Sequence, residues 1–438
     1  MIDELRDGRA GTAVLAGDDE WGANPPIYPP SGEPVAVVRP STPEEVGEAL
    51  RFAAAEGIGV AVRSGGHGSG HFDIDGGLVI ELSNFTSVEV DGTTVRVGGG
   101  ALWGDVAKAL APHGLALSSG DTKSVGVGGL TLGGGVGWLV RQYGLAFDSL
   151  VAAEVVLASG EFVTASADEN PDLFWALRGG GGNFGVVTTF VFEAHPLDGV
   201  VFGTLVFAPE AAADVLKGWR DVMREAPEQF NATFMVMPAM GPGMDASAQV
   251  IVLHPGRDLA APEAQLAKLR ALPGYRSEDV AVKDYVDALE DPHPFDGPTP
   301  TITGDNGFAA DLGDAAVDAI VAAHASLAAG VLMVRYLRGA FNRVPADATA
   351  WAHRDAEVML LLAAFLPPDS PRELIEGVHG AWKPVQPFTA GTYGNFAQEA
   401  DADMTALIYP PATLKRLREI KRTYDPGNLL SRNHNVVP

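Results

Sequence analysis

The sequence predicts an α+β protein in two parts, the second of which carries a large antiparallel sheet covered by helices. Three observations predict it. Strand-like and helix-like segments alternate along the chain, glycine-rich runs are confined to the first part, and the apolar share is that of a globular protein. Of 438 residues, 46% are hydrophobic and 53 are glycine. That is about one glycine in eight, against a usual share of roughly 7%. The chain is long enough to bury a sizeable core and holds unusually many tight backbone positions.

Residues 1–34 are polar and proline-rich, which predicts an irregular lead-in. Pro34 to Val38 then reads as a strand. Thr42-Pro43-Glu44-Glu45 supplies an N-cap, a proline at N1 and a glutamate at N3, the signature of a capping box. The helix that follows places Val46, Ala49, Leu50 and Ala53 on one face and stops at Gly57. Ile58 to Arg63 forms the next strand and delivers the chain into Arg63-Ser64-Gly65-Gly66-His67-Gly68-Ser69-Gly70.

Leu78–Leu82, Val88–Val90 and Thr94–Val97 read as strands, the last two joined at Asp91-Gly92. Trp103 to His113 suits a helix closed by Gly114, and a second glycine run fills Gly126 to Gly137. Ala153–Leu157 and Phe162–Thr164 pair around Ser159-Gly160. Asn170-Pro171 caps a helix to Arg178, which feeds Gly179–Gly182 and the strand Val186–Phe192. A boundary falls near residue 198.

Beyond it the glycine runs stop. Strand-like stretches at Val201–Phe207, Ala232–Met237, Gln249–Leu253, Gly330–Val334 and Glu357–Phe365 alternate with amphipathic helices at Pro209–Ala226, Ala261–Leu272, Asp314–Ala328 and Pro371–Trp382. Such a sheet with covering helices can wall a substrate cavity. The segment Pro411–Pro438 opens as a helix rich in Lys415, Arg416, Arg418, Lys421 and Arg422, a pattern that reads as a solvated face.

Composition excludes several functions. Cysteine is absent, so disulfides, thiolate metal sites and cysteine nucleophiles are ruled out. With 30 Lys+Arg against 56 Asp+Glu, the net charge is −26, a field that repels phosphate backbones and anionic membranes. No nucleic-acid or membrane partner is expected. An acidic start without an apolar targeting core and the lack of long apolar runs lead to the expectation of a cytoplasmic protein. No His/Asp/Glu set has metal-ligand spacing, and neither a Gly-x-Ser-x-Gly elbow nor a P-loop lysine occurs.

The chemistry concentrates in the Arg63–Gly70 loop. Consecutive glycines after a strand let backbone N–H groups converge on an anion, so a dinucleotide diphosphate is held without basic side chains. That answers how so acidic a chain binds a phosphate cofactor. Gly180-Gly181-Gly182-Asn183-Phe184-Gly185 matches the nicotinamide-dinucleotide fingerprint in letters. It follows a helix and precedes a strand, the reverse of what that fingerprint needs, and is set aside.

Several long motifs then occur in a shared order: Arg-Ser-Gly-Gly-His at 63–67, Val125-Gly126-Val127-Gly128-Gly129 to Gly135, Leu173 to Arg178 running into Asn183-Phe184-Gly185, Tyr393-Gly394-Asn395-Phe396, and Tyr424–Leu429 with Asn433-His434-Asn435. In these the chain resembles the FAD-linked oxidases of the vanillyl-alcohol oxidase superfamily, the berberine-bridge-enzyme-like branch in particular. The resemblance spans essentially the whole chain. It implies a two-part FAD-binding domain of the PCMH type, residues 1–198 with 405–438 returning to it, and a substrate domain at 199–404.

The resemblance also implies roles. His67 is the position that attaches to the 8α-methyl of FAD, and Arg63, Ser64, Gly65, Gly66, Gly68, Ser69, Asp121, Ser124, Gly126, Gly128, Gly129, Gly134 and Val187 fall in the cofactor cradle. Thr122 stands where many relatives carry a second, cysteinyl link, which places the chain in the single-histidine subgroup. Val127 matches the position bordering the flavin edge where oxygen reacts. Asn395, Phe396 and Asn433 orient the flavin, and Tyr393 is the candidate base for the proton that leaves the substrate hydroxyl or amine. A base near pKa 10 needs neighbours that lower it.

The implied reaction is hydride transfer from a small organic substrate to flavin, with O2 as acceptor and H2O2 as product, by a monomer or homodimer. No metal is expected. Three alternatives stay open at this point: a dehydrogenase with another acceptor, a non-oxidative cyclase, and a flavin-containing binding protein without catalysis. The substrate is not identified, although Gly68-Ser69, where an aromatic often follows the loop histidine, weighs against a sugar.

Overall fold

The computed structural model describes residues 5, 7–21, 32–68, 74–239, 245–290, 300–368 and 370–438, so Ser69 lies outside the described residues. The first sheet has the strand order Thr12–Leu15, Ala36–Arg39, Leu78–Glu81, Val60–Arg63. Its last three strands are parallel, and the helix Pro43–Glu56 makes the crossover that parallel pairing requires. That helix buries Val46, Ala49, Leu50 and Ala53, as its spacing predicts. Thr42 Oγ1 accepts from the Glu45 N–H at 3.3 Å. The Glu45 carboxylate reaches back to the Ser41 N–H at 2.6 Å rather than to Thr42, so the box is shifted by one residue.

The lead-in is more ordered than its composition suggests. Thr12–Leu15 pairs antiparallel with Ala36–Arg39, and Leu5 and Leu15 enter the core. A four-residue strand is too short to display an alternating pattern, which is why proline content dominated the reading.

The second sheet, ordered Val88–Asp91, Thr94–Gly98, Val186–Glu193, Leu150–Val156, Phe162–Ser166, is antiparallel throughout. Both expected hairpins are present. Asn170 does not cap the helix Pro171–Leu177: it sits at φ 48°, and its side chain donates instead to the Thr164 carbonyl at 2.7 Å. The second glycine run is not all loop, since Val127–Gly133 is helical.

The third sheet runs Tyr275–Glu278, Val200–Phe207, Ser247–Pro255, Asn231–Met237, Gly330–Tyr336, Val358–Leu366, Thr301–Ala309, with Ala281–Lys283 also paired to Val200–Phe207. Its alternation explains the apolar runs. Phe234, Leu332, Val334, Leu360 and Leu362 pack under the helices Ala212–Glu225 and Asp314–Ala325, while Met235, Met333, Met359 and Leu361 face a different core that includes Phe308, Trp351 and Tyr393. Because both faces are covered, the strands read as continuous rather than alternating hydrophobics.

Buried cations tie these sheets together. Arg141 donates to the carbonyls of Ala226, Pro227, Phe230 and Arg338, and burial lowers its pKa to about 10. Arg354 grips the Asp148 carboxylate through two nitrogens at 2.8 and 2.7 Å. In the C-terminal helix Pro411–Tyr424, Lys421 departs from the solvated stripe expected of it and is fully buried. Its ammonium donates to Asp425 at 2.7 Å, the Asn183 carbonyl at 2.7 Å and the Leu430 carbonyl at 3.0 Å. Burial pulls the lysine down while Asp425 resists, and three acceptors satisfy all three of its protons. No helix among the described residues is long and apolar enough to cross a membrane.

Candidate active site

A cavity of about 470 Å³ lies where the glycine-bearing loops of the first and second sheets meet the covered face of the third. Arg63, Ser64, Gly65, Gly66, His67 and Gly68 enter it directly from the end of the strand Val60–Arg63. The Arg63 guanidinium pairs with the buried Glu81 carboxylate. Its charge is therefore already matched, which leaves the backbone N–H groups of the loop as donors for an anion on this side. Ser64 Oγ donates to the Gly99 carbonyl at 2.8 Å and anchors the loop. Gly65 packs backbone to backbone on Gly126, so closely that a Cβ on either residue collides with the other's main chain.

His67 is half-buried, and its Nε2 lies 2.7 Å from Ser124 Oγ. Burial pushes its pKa below the ordinary histidine value, with the negative Asp121 as the smaller, opposing cause. The ring is thus neutral at pH 7, as a nitrogen nucleophile must be. Asp121 and Thr122 also line the cavity. The Asp121 carboxylate is 2.8 Å from Arg335 of the large sheet, and Arg335 additionally donates to the Val136 carbonyl at 2.9 Å. Gly126, Gly128, Gly129 and Val187 complete this wall.

Not every expected residue is in the wall. Ser124 is outside the cavity lining and touches His67, which is in it. Gly134 lies behind it, where a Cβ meets the rings of Trp351 and Tyr393. Val127 is completely buried at the start of its helix, packed in the core with Ala101 and Trp103, and does not face the cavity. Val125, two residues earlier and outside that helix, faces it instead. Of these two valines, Val125 alone lines the cavity.

The opposite wall is aromatic. Tyr393 packs edge-on against Trp351 at 5.2 Å and Phe396 at 5.0 Å between ring centroids, and Phe308 and Phe341 brace Trp351. The Tyr393 hydroxyl accepts from the Gly135 N–H at 3.1 Å and from Asn395 Nδ2 at 3.0 Å. The same Nδ2 donates to the Leu130 carbonyl, which fixes the orientation of the amide. Burial, the largest cause, raises the Tyr393 pKa, and hydrogen bonds from the Gly135 backbone, Asn395 and the Val136 backbone counter only part of that rise. Donors to the phenol oxygen stabilise its phenolate, the direction that the expected base role requires, while burial opposes it.

Asn306, which the sequence reading missed, holds Tyr393 in place. Its Oδ1 accepts from the Tyr393 N–H at 2.7 Å and its Nδ2 donates to the Tyr393 carbonyl at 3.3 Å. It sits on the edge strand Thr301–Ala309, whose Gly304-Asp305-Asn306-Gly307 reads as a turn in sequence. Trp351, His353 and Tyr409 were missed as well, since single aromatics in irregular segments carry no periodic signal.

The set-aside Gly180–Gly185 run does lie between helix and strand, yet Gly179, Gly181, Gly182 and Gly185 line the cavity. Asn183 beneath them donates to the Gly180 and His434 carbonyls and accepts from the Val436 N–H, which pins the C-terminal tail there. Asn433 and Asn395 are in the wall, as expected. Tyr143 faces away, stacked on His195.

The residues present fit FAD. A Cβ at Gly129 would project into open space in the cavity, and one at Gly181 or Gly182 would meet only side-chain tips at 3.7–3.8 Å, so these glycines keep a cradle clear. Asn433 Oδ1 and Trp351 Nε1, both on lining residues, are buried without a protein partner. Among the described residues no group of His, Asp or Glu is placed to hold a metal.

Comparison with known proteins agrees. Residues 34–166 match the FAD binding domain family. (R)-6-hydroxynicotine oxidase of Paenarthrobacter nicotinovorans is 33% identical, with 92% of this chain and 91% of that protein covered. The structure of xylooligosaccharide oxidase from Myceliophthora thermophila, solved with xylobiose, superposes with a TM-score of 0.88 at 28% identity over 100% and 99% of the two chains. The berberine-bridge-enzyme-like protein 1 of the moss Physcomitrella patens shares the fold, with a TM-score of 0.89 at 22% identity over 100% and 99%.

Proposed function

We propose that this chain, which belongs to the FAD-linked oxidoreductase family of (R)-6-hydroxynicotine oxidase, is an oxidase acting on a small organic substrate with O2 as acceptor and H2O2 as product. The carrying observation is the cavity itself: a clear glycine cradle with His67 in its wall, facing an aromatic wall headed by Tyr393. Bound FAD supplies the two-electron acceptor for a C–H bond of the substrate.

The chain's own residues do the rest. Backbone N–H groups of the 63–68 loop bind the diphosphate, Asn395, Phe396 and Asn433 orient the ring system, and His67 carries the single covalent link. Thr122 has no thiol and adds none. Tyr393, whose oxygen takes hydrogen bonds from Gly135 and Asn395, is the candidate base for the substrate proton, while Trp351 and Phe396 exclude water from one side. We assign residues 1–198 and 405–438 to the cofactor part and 199–404 to the substrate part. Lys421, which joins the tail to Asn183, supports that division.

Relatives named for a nicotine derivative and for a sugar oligomer leave the substrate class between cyclic amines and alcohols. The test is a panel of secondary amines, phenols, secondary alcohols and sugars added without oxygen, followed by air. An oxidase substrate bleaches the flavin absorbance, and air restores it within seconds with one H2O2 per turnover. Slow recovery in air, with rapid recovery by an artificial acceptor, assigns the protein as a dehydrogenase.

A further inference from the structure

The loop Arg63–Gly68 and the segment Asp121–Gly126 meet at one side-chain contact, the 2.7 Å approach of Ser124 Oγ to His67 Nε2. The contact is built rather than incidental. The two segments are locked in register by the backbone packing of Gly65 on Gly126, and a Cβ at Gly65 would also meet the Ser124 carbonyl at 2.8 Å. The second segment is itself held from both sides. Lys123 N–H donates to the Glu290 carbonyl at 2.8 Å, and the Lys123 and Val125 carbonyls accept from Gly104 and Trp103 at 2.9 and 3.0 Å. Neither segment can slide without breaking these bonds, so the hydroxyl stays on the imidazole.

We propose that Ser124 is the positioning residue for covalent attachment of FAD at His67. This rests on the covalent reading of His67 given above. In the proposed role Ser124 Oγ accepts from Nε2–H, which leaves the lone pair on Nδ1, and the contact holds the ring plane. Attachment breaks one C–H bond of the flavin 8α-methyl and the imidazole N–H bond, and forms one N–C bond. Two electrons and two protons remain on the isoalloxazine, and dioxygen takes them up as H2O2. As Nδ1 bonds to carbon, positive charge develops on the ring, and the Nε2–H bond to Ser124 shares that charge until the proton leaves.

The test is a time course of attachment in full-length apoprotein given FAD in air, read as flavin fluorescence that stays with the chain in a denaturing gel. Ser124→Thr and Ser124→Val have the same shape and differ in the hydroxyl, so volume and folding are controlled, and fluorescence quenching reports non-covalent FAD binding for each. The expected result is attachment in the wild type and Ser124→Thr, about tenfold slower attachment in Ser124→Val and Ser124→Ala, and similar non-covalent affinity throughout. Equal rates in Thr and Val variants, whether both fast or both slow, overturn the role of Ser124 while the His67 link stands in the wild type. A wild type that never retains flavin overturns the link and this role with it.

Discussion

One wall of the cavity is largely backbone, from 63–68 with Gly126, Gly128, Gly129, Gly179, Gly181, Gly182 and Gly185, and the other is side chain, from Trp351, His353, Tyr393 and Phe396. The backbone wall tolerates no added atom between Gly65 and Gly126, because main chain meets main chain and neither can rotate away. The aromatic wall is held by amides, Asn306 on the Tyr393 backbone and Asn395 on its hydroxyl, and adjusts by rotamer. The difference suggests a division of labour. In the proposed function backbone holds the diphosphate, while the side-chain wall meets the flavin ring through Phe396 and the substrate through Tyr393.

Perturbing each wall sharpens that contrast. The largest effect is expected beneath the backbone wall. Lys421→Met leaves Asp425 buried without its cation and releases the Asn183 carbonyl, and should destabilise the protein by about 3–5 kcal/mol in denaturant titrations. Gly126→Ala comes next. The added Cβ meets the Gly65 N–H and Ser64 Oγ, an overpacking of about 1–3 kcal/mol that should appear as FAD lost on gel filtration while the fold persists.

On the aromatic wall the cofactor should survive substitution. Tyr393→Phe removes the hydroxyl that Gly135 and Asn395 hold, and should lower the rate of flavin reduction by substrate about tenfold to a hundredfold with FAD content unchanged. Equal loss of FAD in Tyr393→Phe and Gly126→Ala would erase the contrast.

The smallest effect is a pH dependence from buried histidines, of which only His67, His353 and His434 line the cavity. Burial holds His67, His195, His254, His324, His353 and His434 below the usual histidine pKa. Each takes up its proton more readily when unfolded, so stability should be full above about pH 6.5 and fall as the pH drops through 6.5 toward the lowered folded values. His379 acts oppositely. Asp305 at 2.8 Å raises its pKa, so its contribution is present below pH 6.5 and lost as the pH rises through the raised value. Thermal midpoints between pH 5 and 8 check the sum, and His379→Gln should steepen the acid loss.

The same contrast explains what was legible in the sequence. The backbone wall lies in contiguous motifs because glycine is needed at fixed steps along one loop, so His67, Gly126 and Asn433 could be placed. The error at Val127 is one of local geometry: the helix Val127–Gly133 turns that side chain into the core and leaves Val125 at the surface of the cavity. The aromatic wall is assembled from positions far apart, and only Tyr393 had a motif around it. Asn306 was hidden because Gly304 and Gly307 give its strand the composition of a turn. The close pass of Gly304 over the Leu362 carbonyl is the packing reason for that glycine. Lys421 was hidden among basic residues that do face solvent, with Asp425 four residues on as its one local cue.

The most direct measurement is acid precipitation of the purified protein with flavin assayed in pellet and supernatant, for the wild type and His67→Ala. The account predicts yellow pellet for the wild type and all flavin in the supernatant for the variant. Wild-type flavin released entirely to the supernatant, or flavin retained in the His67→Ala pellet, contradicts it.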